Sequence, residues 1–138
     1  MVDTRLAPYA AFALRISLGI LFLAHGLLKV LVFTLPGTVG FFESIGYPGF
    51  FAYLVMLGEI GGGLLLLLGV QTRWVALALV PILLGATLHH LPQGWLFSGE
   101  GGGWEFPAFW TVTLIVQALI GPGAFALGAQ ADLRPRTA

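Results

Sequence analysis

The sequence predicts an all-α integral membrane protein, a four-helix transmembrane bundle with both termini in the cytoplasm. Three observations predict it. Hydrophobic residues make up 58% of the 138 positions and charged residues 9%, and the mean hydropathy of +0.96 is far above what a soluble domain exposes to water. Four apolar runs, at 12–33, 51–70, 74–92 and 107–127, approach the roughly 20 residues a transmembrane helix needs. Basic residues gather at one set of run ends, and Glu43, Glu100 and Glu105 lie at the other.

The first run, 12–33, is followed by Pro36 and Gly37, which punctuate its end. It is too long for the apolar part of a secretory signal, contains His25 and Lys29, and lacks a small-residue cleavage site after it, so it is expected to be retained. Pro48 and Gly49 precede the second run, 51–70, and only a short stretch with Thr72 and Arg73 separates it from the third, 74–92. These two must form an antiparallel hairpin. Pro81 is a potential kink in the third helix. Pro107 opens the fourth run, 107–127, and Pro122 with Gly123 terminates it. The two longer connections carry Gly, Trp and Phe and are expected to fold over a bundle mouth. The whole chain, 1–138, reads as one domain.

Lysine and arginine bias sets the orientation. Arg5 and Arg15 lie at the amino end, Arg73 in the short hairpin turn, and Arg134 and Arg136 at the carboxyl end; these are expected in the cytoplasm. Glu43, Glu100 and Glu105 then lie outside. Trp74, Trp95, Trp104 and Trp110 fall near helix ends and read as interfacial anchors. The formal net charge is zero with no basic patch, so nucleic acid is not an expected partner; the lipid bilayer is. There are no cysteines, which excludes disulfides and thiolate chemistry by this chain, so electron transfer needs a cofactor or a redox-active substrate.

The candidate functional residues are the polar groups inside the apolar runs. A charge at the bilayer centre costs roughly 2.5–3.5 kcal/mol, so it faces a partner, a cavity or a ligand. At 1.5 Å per residue Lys29 lies about 6 Å, and His25 about 12 Å, below the outer end of the first helix, and Glu59 lies about 12 Å below the outer end of the second. His25 and Glu59 therefore share a depth, with Lys29 or His25 the expected partner of the carboxylate. A spacing of four puts His25 and Lys29 on one helix face, with Arg15 close to it. Arg15 has a second reading, snorkelling to headgroups, and so has Lys29. His89 and His90 close the third helix near the outer boundary; neighbours on a helix point about 100° apart, so one of them, with His89 favoured, faces the interior. Glu105 stands before the fourth helix, where it either joins the cluster or complements the helix dipole, and Gln117 lies near mid-membrane. Gly58, Gly61, Gly62 and Gly63 surround Glu59 and permit close approach of a neighbouring helix or a flat ligand. The run Gly101, Gly102, Gly103 lacks the lysine and hydroxyl of a phosphate loop. The inner half is otherwise apolar, which favours a pocket open outward or sideways over a continuous channel.

Arg15 with Gly19, Gly26 and Lys29, then Glu59 with Gly62, Leu65 and Gly69, then Glu105, and finally Gly121, Pro122 and Gly123, make up a pattern that resembles the DoxX family of small four-helix bacterial membrane proteins over residues 10 to 127. The tail departs from it, with Ala126, Leu127 and Gly128 where the family pattern has Ser, Leu and Asp. The resemblance implies a multi-pass protein of the bacterial cytoplasmic (inner) membrane, associated with quinone-linked oxidation and with a partner oxidoreductase subunit or a homo-oligomer. On this expectation His25 and Glu59 are catalytic, the first bonding or protonating a quinone oxygen and the second exchanging protons or orienting His25. Lys29, His89, Glu105, Gln117 and Arg15 bind or relay. Two other readings use the same cluster: a transporter or binding protein for a small molecule, and a structural anchor for a partner enzyme. Haem on His25 and His89, or zinc on His25, Glu59 and His89, is geometrically conceivable, but the sequence signatures of either are missing.

Overall fold

A computed structural model of the chain describes residues 3–128. Arg134 and Arg136, counted in the orientation, lie outside the described residues. Among these there are five α-helices: α1 (Ala7–Leu31), α2 (Leu35–Ser44), α3 (Phe50–Leu68), α4 (Thr72–His90), followed by a 3-10 turn at Leu91–Gln93, and α5 (Glu105–Ile120). Three stretches, Ala7–Leu31, Phe50–Leu68 and Thr72–Gln93, are long and apolar enough to cross a membrane. α5 is a shorter apolar helix of 16 residues.

Two boundaries differ from the sequence expectation. The first helix begins at Ala7, five residues before position 12, with Pro8 in its first turn where a missing N–H costs nothing. The last helix ends at Ile120 rather than 127. Gly121 leaves the helix at φ 84°, Pro122 cannot continue it, and the segment beyond turns back over α1, with Ala124 N donating to Pro8 O at 2.9 Å. α2 is the element not expected at all. Thr34 caps it by accepting from Gly37 N at 3.3 Å, and Pro36 lies in its first turn.

The hairpin of α3 and α4 forms as expected. Gly69, at φ 71°, closes α3, and Val70 N returns to Leu65 O at 3.0 Å, so the reversal needs only a few residues. α1 packs antiparallel to α3 because glycines face each other. A Cβ on Gly63 would lie 2.7 Å from Leu23 N and 3.0 Å from Gly19 O, and one on Gly26 would lie 2.6 Å from Ile60 Cγ1. The core draws Leu18 and Phe22 from α1, Leu66 from α3, Leu79 and Leu83 from α4, and Trp110 and Leu114 from α5. The outside is apolar too: Leu57 and Leu119 are each 72% exposed, as side chains facing lipid are.

Two arginines hold the end where α1 starts. Arg15, fully buried, donates Nε to Pro122 O at 2.8 Å, Nη1 to Leu66 O and Leu67 O at 2.8 and 2.9 Å, and Nη2 to Ala124 O at 3.0 Å. Arg73 donates Nη1 to Ala118 O and Leu119 O at 2.7 and 2.8 Å. Each satisfies the orphan carbonyls at a helix C-terminus and places a cation at its negative end.

Candidate functional site

The opposite end, where α1 and α4 finish and α3 and α5 begin, holds an open cavity of about 660 Å³. Its polar wall comes from three helices. Lys29, in the last turn of α1, donates Nζ to Glu59 Oε1 and Oε2 of α3 at 2.9 and 2.8 Å. Glu59 is 4% exposed, so the bond neutralises a carboxylate that has almost no water to solvate it. The close α1–α3 approach makes the pair possible, since a Cβ on Gly26 would also lie 3.1 Å from Glu59 Cβ.

His25 lies one turn before Lys29. Its Nδ1 is 2.8 Å from Leu21 O, and a carbonyl only accepts, so Nδ1 carries the proton. Nε2 is then the acceptor nitrogen of the neutral ring. The ring packs edge-on to Trp110, centroids 4.9 Å apart, and stacks with Phe106 at 6.5 Å.

Both His89 and His90 line the cavity, which corrects the expectation that only one faces inward. The cavity is lined by α4 from Pro81 onwards and takes in both residues that end the helix, so the 100° separation between neighbours does not exclude either ring. His89 packs on Phe41 of α2, centroids 5.7 Å apart, and the two histidines lie 5.0 Å from each other. His90 Nδ1 and Trp110 Nε1, which also line the cavity, are buried with no hydrogen-bond partner among the described residues.

The remaining wall is aromatic and aliphatic. Phe41 and Phe42 come from α2, Tyr47 from the turn after it, Phe97 from the connection to α5, and Phe106 and Trp110 from α5. α2 is fastened over the cavity by buried Thr38, whose Oγ1 donates to Lys29 O at 2.9 Å. The expectation that the long connections fold over a bundle mouth thus holds for both.

Three candidates stand apart from the cavity wall. Glu105 Oε1 accepts from Phe97 N at 2.9 Å and sits in the first turn of α5, shaping the loop beside the site. Gln117 is buried nearer the other end and donates Nε2 to Gly121 O at 2.6 Å. Arg15 is taken up by four backbone carbonyls at the far end, so it does not snorkel. Trp110, read as an interfacial anchor, is instead 5% exposed and packs on Phe22 at 4.6 Å as well as on His25. Sequence reasoning missed α2 and its phenylalanines; the signal available was Thr34, Pro36 and Gly37 followed by Phe41 and Phe42. Among the described residues no group of three His, Asp or Glu side chains is gathered so as to hold a metal ion, the trio of His25, Glu59 and His89 included.

A family model described as DoxX matches residues 10–92. The Bacillus subtilis (strain 168) protein named "Putative oxidoreductase CatD" is 41% identical over 75 residues, which cover 54% of this chain and 54% of that protein, so the chain spans about half its length. Inner membrane protein YqjF of Escherichia coli K12 is 33% identical over 126 residues, 89% of this chain and 92% of that protein. Inner membrane protein YphA of the same organism is 28% identical over 129 residues, 87% and 89% of the two chains. No solved structure matches the chain.

Proposed function

The chain belongs to the DoxX family, and on that premise we propose that it is the quinone-interacting membrane subunit of an oxidoreductase. It is a multi-pass protein of the bacterial cytoplasmic membrane. In this reading α5 is a fourth crossing, the arginine-clamped end with Arg5, Arg15 and Arg73 faces the cytoplasm, and the cavity opens on the outer side with Glu43, Glu100 and Glu105 around it.

The observation that carries the proposal is an aromatic-walled cavity that also holds His25, Lys29, Glu59, His89 and His90. A quinone supplies two-electron chemistry coupled to two protons. The chain's own residues fit such a ring: flat side chains bound the space, and His90 Nδ1 and Trp110 Nε1 are polar atoms lacking a partner. His25 presents Nε2 as its exchangeable nitrogen, because Leu21 O occupies Nδ1–H. A neutral His25 accepts a proton from a hydroxyl, and the imidazolium returns one to a ligand oxygen. Lys29 fixes Glu59 and keeps one of its three N–H donors beyond the two given to the carboxylate. In this reading a partner chain exchanges electrons with the quinone, and this chain, without cysteine, adds no thiol couple of its own. The name of CatD supports the redox assignment.

The test is an oxidised-minus-reduced absorption spectrum of protein extracted with native lipid, then repeated after quinone is added back. A stoichiometric quinone signal is expected, reduced by His25→Phe, which keeps the ring packing on Trp110 and Phe106. No signal in either preparation rejects the reading.

A further inference from the structure

A second cavity, of about 500 Å³, runs along the outside of the α3–α4 seam. Phe51, Val55, Pro81 and Ile82 line both it and the end cavity, so the two lie side by side across shared walls. Their chemistry differs completely. The end cavity carries His25, Lys29, Glu59, His89 and His90, whereas among the described residues no titratable side chain lines the seam groove.

On α3 the groove runs from Phe51 to Leu65, about 21 Å at 1.5 Å per residue, and so covers most of a hydrocarbon layer of about 30 Å. Its floor is shallow and fixed. A Cβ on Gly58 would meet Ile82 Cδ1 at 2.9 Å and one on Gly62 would meet Leu79 Cδ2 at 2.8 Å, so the helices already touch there and close the floor of the groove. Ala78 lies exposed along the same groove, its small side chain leaving the trough open.

We propose that the seam groove receives the hydrocarbon tail of the same ligand whose ring occupies the end cavity, which makes the ligand an amphipathic, lipid-borne quinone entering sideways from the bilayer. The inference rests on the quinone reading and adds the tail as a recognised part of the ligand. Neutral lipid gives no hydrophobic drive towards the groove, so the gain is packing of the chain against a preformed trough.

The experiment measures binding in nanodiscs of two quinones with the same ring, one carrying a long isoprenoid tail and one a methyl group, at equal mole fraction in the bilayer. The tailed form carries a photoactivatable group at mid-tail. The expected result is about tenfold tighter binding of the tailed quinone, with crosslinks on α3 and α4 between Leu54 and Ala78. Ala78→Phe, which fills the groove from its exposed rim, should remove that advantage and leave the methyl quinone unchanged. Leu77→Phe, on the neighbouring lipid face outside the groove, should alter neither. Equal binding of the two quinones, or a loss common to both in Ala78→Phe, overturns the tail site while leaving the ring site standing. Binding of neither overturns both.

Discussion

Lys29 of α1 bonds both carboxylate oxygens of Glu59 on α3, at 2.9 and 2.8 Å, thirty residues away in sequence. The pair joins the two helices in the wall of the end cavity, so the site and the α1–α3 interface share these atoms. Removing one partner leaves a charge with little water; removing both leaves an apolar contact.

Lys29→Met or Glu59→Leu alone is therefore expected to destabilise the protein by about 3–5 kcal/mol, and the double variant by much less, because a lone buried charge is the costly state. Unfolding in mixed micelles by denaturing detergent measures the cycle. Additive losses would mean that the pair is not coupled in the membrane.

Arg15→Lys keeps the charge but not the fork that reaches Leu66, Leu67, Pro122 and Ala124. Thermal stability should fall by about 2–4 kcal/mol, while ligand binding by the folded fraction stays as in the parent. Loss of binding at full stability would assign Arg15 to the ligand instead.

Neighbouring glycines of α3 should respond in opposite ways. Gly61→Ala meets nothing within 4 Å and should change stability by less than about 0.5 kcal/mol. Gly63→Ala presses on Leu23 N and Gly19 O, backbone atoms that cannot turn aside, and should cost about 1–3 kcal/mol while drawing Lys29 away from Glu59. Equal tolerance at both sites would show that α1 does not pack on α3 so closely.

The absence of cysteine makes orientation directly measurable. Ser98→Cys, in the connection beside the cavity, should react with a membrane-impermeant maleimide in intact spheroplasts. Gln71→Cys, in the α3–α4 turn, should react only after permeabilisation. The reverse pattern inverts the proposed topology.

The elements of the DoxX pattern divide between the two ends of the molecule. Arg15, Gly69 and Gly121 to Gly123 meet at one end, where a Cβ on Gly69 would lie 2.7 Å from Arg15 Nη1. Lys29 and Glu59 meet at the other. One part of the pattern therefore closes helix ends, and the Lys29–Glu59 pair borders the cavity.

The sequence alone determined that this chain lives in a membrane, that its long helices lie where apolar runs meet Pro and Gly, and that His25 and Glu59 reach the same depth, with Lys29 one helical turn further out. Those properties follow from transfer energy and from a fixed rise of 1.5 Å per residue, both of which are local. His25 and His89, both expected in the outer half, line the end cavity. Depth fixes one coordinate only. The tertiary structure decided which way each group faces: Gln117 and Arg15 towards backbone carbonyls, Trp110 inward against His25, and both terminal histidines of α4 towards the cavity. It also decided that α2 covers the site, because Thr38 reaches Lys29 O only after α1 and α2 have folded on each other. Such choices rest on contacts between segments far apart in the chain, where several orientations satisfy the same pattern and packing selects one.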